Sequence, residues 1–295
     1  MIFRCVVAIS LFCSDAFTQA ATILDPADAS VTDQQYRDLG ASSPSVGQVL
    51  GSLLSGSGTY IGGRWVLTAG HIAFGKTNGT FSLGGSSYSI IRAITFPGWS
   101  FGSDTNDIGL VELSSEIAGI TPALMFHLPV DSVLLGQTVT WIGYGQGGTG
   151  LTGSIGSPGT LRGFTNVIDG FGPTFGLVES SMFTDFDRPD GSKNSIESSS
   201  PFPTALEGNL APGDSGGGVF WEGGLIGVSS YRARLAPDPL SNSDYGELSG
   251  ASRLSRYTDW ITEQTNIAAV PEPSVAVFLS IGALGCFRRG RSLRG

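Results

Sequence analysis

The chain has 295 residues, 44 of them Gly, and only 14% are charged, a composition that favours many short strands over long amphipathic helices. The formal charge is -9, and between Ala21 and Val270 there are 11 Lys plus Arg against 23 Asp plus Glu. So acidic a body argues against nucleic acid as a partner, because a phosphate backbone needs a basic face.

The first predicted element is an address. Met1–Ala20 carries Arg4, then the apolar stretch Cys5–Cys13, then small residues leading to Ala20-Ala21. That is the order of a secretory signal peptide, and the expected cleavage follows Ala20. Residues 21–45 are expected as an N-terminal segment or propeptide. The three cysteines, Cys5, Cys13 and Cys286, all lie in the terminal segments. Once both ends are removed, no disulfide can form, and the body relies on buried apolar area.

Three segments of the body carry chemistry. Gly63–Gly70 is an apolar strand running into small residues, and it delivers His71 at its end. Asp107 stands immediately before the strand-like run Ile108–Leu113, where a carboxylate can be buried against a histidine; Asp104, in a Gly- and Ser-bearing loop, is its competitor. The third segment is Ala211-Pro212-Gly213-Asp214-Ser215-Gly216-Gly217-Gly218. A serine flanked by glycines sits on a tight turn with its hydroxyl exposed, and the Gly213 and Ser215 N–H groups can converge on one developing oxyanion.

Other features read as structural. His127 and the Gly-rich stretch Gln146–Gly159 are assigned to the scaffold. Asp185, Asp187 and Asp190 crowd a Gly-Ser turn at a spacing that could hold calcium, yet the series departs from the EF-hand pattern, and a solvated acidic loop is the preferred expectation.

At the C-terminal end, Val270-Pro271-Glu272-Pro273 precedes an apolar run, Ser274–Phe287, and then Arg288, Arg289, Arg291 and Arg294. The run is short of the ~20 residues a permanent span needs. This three-part order resembles the PEP-CTERM sorting signal of Gram-negative bacteria over residues 270–295. The resemblance implies an exosortase-type processing enzyme besides signal peptidase, transient membrane contact, and an extracellular or cell-surface destination. A plain membrane anchor is the alternative.

Together the three chemical segments resemble the chymotrypsin/trypsin family of serine proteases, through Thr68-Ala69-Gly70-His71, Asn106-Asp107-Ile108-Gly109-Leu110 and Gly213-Asp214-Ser215-Gly216-Gly217. Supporting likenesses are Thr140–Gly145, Leu225–Tyr231 and the closing segment Arg253–Ile261. The resemblance implies an all-β fold over residues 46–265: two six-stranded antiparallel Greek-key barrels, at about 46–130 and 138–265, with a short C-terminal helix. It implies Ser215 as nucleophile, His71 as general acid/base and Asp107 as its orienting partner, acting on a polypeptide substrate without a cofactor. Asn209 and Leu210 would stand at the base of the specificity pocket, and Ser230, Tyr231 and Arg232 along the substrate backbone.

The departures have consequences. Ile72 stands where the family has a cysteine, and Gly218 where it commonly has a proline. No aspartate stands at the pocket base, so a neutral or apolar side chain is expected there rather than Lys or Arg. Arg232 would narrow the cleft or favour acidic groups, unless it is a solvated strand-end charge. In the family, the counterpart of Asp214 often pairs with a newly exposed N-terminal amine, for which an end near Ile23 is expected here. Two other readings stand beside the endopeptidase: a catalytically idle surface-binding protein of the same fold, and an esterase. The esterase is disfavoured because its Gly-x-Ser-x-Gly elbow leads into a helix.

Overall fold

A computed structural model describes residues 21–128, 131–175, 178–234 and 242–271. The leader and nearly all of the C-terminal sorting segment lie outside the described residues, and no described helix is long and apolar enough to cross a membrane. Two halves pack across one cleft. The chain opens with β1 (Thr22–Ile23) and α1 (Asp33–Ala41). The first half follows: β2 (Val46–Leu50), β3 (Gly56–Gly62), β4 (Trp65–Thr68), α2 (Gly70–Ala73), β5 (Thr80–Leu83), β6 (Ser86–Thr95) and β7 (Gly109–Leu113). Its six strands close into a barrel in the order β2-β3-β4-β7-β6-β5. Closure removes every free edge, and Val49, Val66, Leu67, Phe81, Leu110 and Val111 on its strands all belong to one buried cluster.

After β8 (Phe126–His127) the second half begins with β9 (Thr138–Gly143), β10 (Gly147–Thr149), β11 (Gly153–Ile155), β12 (Arg162–Val167), β13 (Gly170–Phe171) and β14 (Ser181–Asp185). It continues with β15 (Gly208–Asn209), β16 (Gly218–Trp221), β17 (Gly224–Ala233) and β18 (Leu248–Arg253). The barrel-like main sheet runs β12-β9-β16-β17-β18-β14-β13, seven strands where six were expected, the extra one being the two-residue edge strand β13. The expected closing helix is α3 (Thr258–Thr265), ended by Asn266 in the left-handed region at φ 59°. The final pair, β19 (Val270–Pro271) on β8, fixes the end of the described body beside His127, whose Nδ1 lies 3.3 Å from Thr258 Oγ1. The Gly-rich stretch around 146–159 supplies β10 and β11, the scaffold role expected of it.

Residues 21–45 are woven into this second half. β1 lies between β10 and β15, and α1 packs on β12. Tyr36 of α1 is fully buried; its hydroxyl accepts from Leu24 N–H at 3.2 Å and donates to the Glu207 carbonyl at 2.9 Å. Arg162, also buried, is held by Asp33 at the start of the helix.

Four carboxyl groups meet where β14 and β15 end. Asp169 Oδ2 accepts the Asp185 N–H at 2.9 Å, and Glu207 accepts those of Asp187 and Thr204 at 2.8 and 2.6 Å. Asp185 Oδ2 takes the N–H groups of Ser195 and Ile196 at 2.8 and 3.0 Å. Burial first, and the neighbouring Asp185 charge second, push Asp187 up to about 8 and Asp169 far above the carboxylate range; Glu207 is likewise raised by burial. Asp190 does not join them: it accepts from Ser192 N–H at 2.9 Å and lies 3.5 Å from Arg188. The trio Asp185, Asp187 and Asp190 is therefore not one site, and no group of three or more His, Cys, Asp or Glu able to hold a metal occurs among the described residues.

These raised values tie stability to pH. Each such carboxyl binds its proton more tightly folded than unfolded, where its pKa is about 4. The contribution is full below that unfolded value and is lost as pH rises through the folded ones, near 8 for Asp187. Thermal melts should therefore show Tm falling between pH 6 and 9. Asp169→Asn, which mimics the protonated acid, should flatten that fall.

Candidate active site

The barrel register builds the first part of the site. β4 and β7 are antiparallel with Thr68 opposite Gly109, which sets the residues just beyond each end side by side. At Ala69 the chain is extended, and it then turns into α2, whose second residue is His71. Asn106, at φ 56°, reverses the chain just before β7 and turns Asp107 inward. Asp107 is fully buried. Its Oδ1 accepts the His71 backbone N–H at 2.8 Å, and its Oδ2 lies 2.7 Å from His71 Nδ1. The same Oδ2 accepts Ser230 Oγ–H at 2.6 Å. A buried carboxylate is thus held by three donors, and the imidazole is fixed with Nε2 left for chemistry.

Ser215 comes from the turn between β15 and β16. Gly213 and Gly216 take φ of 102° and 88°, a region that side chains disfavour. A Cβ on Gly216 would also sit 2.1 Å from Thr68 Oγ1, so only glycine lets this turn approach the first barrel. Gly216 N–H donates to the Ser229 carbonyl at 2.8 Å, and Asp214 N–H to that of Ala211 at 3.0 Å. The N–H groups of Gly213 and Ser215 have no backbone acceptor in the turn, as an oxyanion hole requires. Ser57 of β3 pins the turn from across the interface. Its N–H donates to the Ser215 carbonyl at 2.8 Å and its hydroxyl to that of Gly213 at 2.9 Å.

Asp214 lies beneath the turn, buried, accepting from Gly145 N–H at 2.7 Å and Ala211 N–H at 2.9 Å. Its third donor is the backbone nitrogen of Ala21. Burial pushes its carboxyl up to about 6 against the pull of these donors. The end near Ile23 expected for this role is displaced by two residues: Ile23 is buried within β1, and Ala21 makes the contact.

His71 and Ser215 line one cleft of about 360 Å³, with Leu210, Ser230, Tyr231 and Arg232 on the side of the second half. Asn209 is buried and does not line it; Ser249 Oγ accepts the Leu210 N–H at 2.9 Å and donates to Asn209 Oδ1. Tyr231 lays its ring on Gly250, where a Cβ would come within 2.4 Å, and bonds Ser181 Oγ at 2.7 Å. Arg232 Nη1 donates to Ser243 Oγ at 2.6 Å. The reading of the sequence gave Ser230 a substrate role and missed its hold on Asp107. Leu54 and Phe101, which no motif marks, also line the cleft, as does Asp104, the competitor of Asp107 in the sequence; nearness in the chain to β3 and to Asp107 is the available signal.

Ser230 is thus a positioning residue. Ser230→Ala removes one charge-assisted hydrogen bond, worth ~1.5–3 kcal/mol. The expected result is a kcat lowered about tenfold at neutral pH with little change in KM.

Comparisons with known proteins agree with this geometry. The family model described as Trypsin matches residues 40–168. Among solved structures, the chain is similar to neuropsin, a serine protease expressed in the limbic system of mouse brain, at 20% identity and a TM-score of 0.55, over 76% of this chain and 95% of that one. HL collagenase gives 21% identity and the same TM-score, over 76% and 94%. No curated protein matches. The chain therefore has the chymotrypsin-like serine protease fold, and the part that the Trypsin family model matches is the part that supplies His71 and Asp107.

Proposed function

We propose that the protein is an exported serine endopeptidase with Ser215, His71 and Asp107 as its catalytic residues. Ser215 Oγ attacks the scissile carbonyl while His71 Nε2 takes its proton. The carbonyl oxygen becomes an oxyanion facing the Gly213 and Ser215 N–H groups. His71 then protonates the leaving amine as the C–N bond breaks, and water repeats the cycle on the acyl-enzyme. Asp107 keeps the imidazole in the right tautomer and stabilises the imidazolium. The observation that carries this reading is the 2.7 Å contact of His71 Nδ1 with a buried Asp107 at a cleft that Ser215 also lines. The strand β16 follows the serine, which speaks against an esterase elbow and its helix.

At the pocket base, the burial of Asn209 behind an apolar Leu210 supports a preference for neutral or apolar side chains at the cleaved residue. Activation follows from the leader. Cleavage after Ala20 would place the new amine at Ala21, the residue already donating to Asp214, so removal of the leader would add a positive charge to a contact that the turn already has. The C-terminal segment, with its PEP-CTERM likeness, would direct surface attachment or release through an exosortase-type enzyme.

A fluorophosphonate probe tests the chemistry. The native body should be labelled and Ser215→Ala should not; an unlabelled, correctly folded native body would refute the enzyme. N-terminal sequencing of the active form should begin at Ala21. Acetylating that amine should lower kcat/KM by about tenfold or more, since a buried carboxylate loses its charged partner.

A further inference from the structure

Arg162 is a charged group the mechanism does not use, and it is almost wholly buried, 1% exposed. A guanidinium keeps its charge at any pH the protein meets. Its Nε donates to Asp33 of α1, a carboxylate that Arg37 also holds. Nη1 and Nη2 have no hydrogen-bonding partner among the described residues. A permanent cation is therefore shut inside the second half with most of its fork open and only a shared carboxylate to balance it. Burial on these terms is unfavourable unless another negative charge lies close.

Strand pairing shows where that charge is. Arg162 opens β12 and stands directly opposite Gly143 on β9. Residues opposite one another point to the same face, with their Cβ positions about 5 Å apart. Gly143 has no side chain there, and Asp214 takes its place: a Cβ on Gly143 would lie 2.5 Å from Asp214 Oδ1. Gly145, the next residue but one, clears the other side, since its Cβ would overlap Asp214 Oδ2. Two glycines thus open a notch at the end of β9, and the Asp214 carboxylate lies in it beside the stem of Arg162. The donors on that carboxylate, Gly145, Ala211 and Ala21, are backbone nitrogens. Arg162 is the cation that acts on it through space, and its pull opposes the rise in pKa that burial causes.

We infer that Arg162 is a positioning residue for the Ser215 turn: it supplies the fixed positive charge against which Asp214 is held, and Asp33 of α1 aims it. The inference rests on the endopeptidase reading and adds to it a residue that touches no substrate. This charge is in place before the leader is removed, so a new amine at Ala21 joins it and does not replace it. α1 gains a task as well, because it packs on β12 where its first residue holds the arginine.

The test compares the native protein with Arg162→Met, Arg162→Lys and Arg162→Ala on one fluorogenic peptide at neutral pH. Met keeps the apolar stem without the charge, and Lys keeps the charge without the fork. In Arg162→Met, kcat should fall about a hundredfold with KM within about threefold of native, because the turn shifts while the cleft walls stay. Arg162→Lys should stay within about tenfold of the native kcat. Guanidinium ion at about 20 mM should raise the kcat of Arg162→Ala about fivefold, and urea, planar and of like size but uncharged, should not. An Arg162→Met protein that melts like the native one and keeps its kcat overturns the inference. So does an equal loss in Arg162→Met and Arg162→Lys, or a loss that urea repairs as well as guanidinium, since each marks a packing role. Where Arg162→Ala does not fold, the Met and Lys pair decides. A folded native protein that is neither labelled by fluorophosphonate nor active on the peptide overturns the endopeptidase and this inference together; a native protein that is labelled and active while Arg162→Met matches it overturns the role of Arg162 alone.

Discussion

A fully buried carboxylate has to be satisfied on every side, and Asp107 draws its donors from both halves of the molecule. His71 belongs to the first barrel, while Ser230 lies on β17 of the second sheet. Ser252 of β18 adds a hydrogen bond of 2.9 Å to the Asp107 carbonyl. The residue that fixes the His71 imidazole is therefore also part of the clasp that holds the halves together. Neither half can move away without leaving a buried charge short of partners, and that penalty is several kcal/mol. The cleft and its chemistry inherit their geometry from this requirement.

Asp214 imposes the same requirement one layer deeper. It gathers Gly145, Ala211 and Ala21, which arrive from three distant stretches of chain, beneath the turn that carries Ser215. The start of the described chain is thus part of the scaffold under Ser215. β1 pairs with β15, whose second residue, Asn209, stands just before the cleft-lining Leu210, so the same short strand steadies both the turn and that wall of the cleft.

The candidate site was legible where its residues have contiguous neighbours. Thr68–His71 and Gly213–Gly217 each encode a strand end or turn that only small residues permit. The closed first barrel was legible only through the family resemblance those segments carry, because strands such as β3 and β6 mix polar with apolar residues and no apolar run marks them. α1 was not: Asp33-Gln34-Gln35-Tyr36-Arg37-Asp38-Leu39-Gly40-Ala41 is polar nearly all round, and Tyr36 and Gly40 are its only buried residues. The contact of Ala21 with Asp214 joins positions too far apart for any local pattern to signal it. The buried carboxyl patch misled for a related reason. Asp185, Asp187 and Asp190 are close in the chain, but strand geometry turns the first two inward and leaves Asp190 at the surface beside Arg188. Asp104 competes with Asp107 by its place in the chain, and only the fold separates them, burying Asp107 against His71 and leaving Asp104 on the cleft wall.

Ser57 sits at the seam with four hydrogen bonds: to the Ser215 and Gly213 carbonyls, from Tyr144 N–H at 2.9 Å, and from Thr68 Oγ1 at 2.7 Å. It is a wholly buried residue of the first barrel with no part in bond breaking. Yet every one of its bonds ends on the nucleophile turn, on the strand leading to His71, or on the chain just after β9. Ser215 is therefore registered against the half that carries His71, and not only against its own sheet. A slip between the halves would disturb the Ser215 turn while both cores stayed intact, so the alignment of Ser215 with His71 gauges the seam more finely than unfolding does.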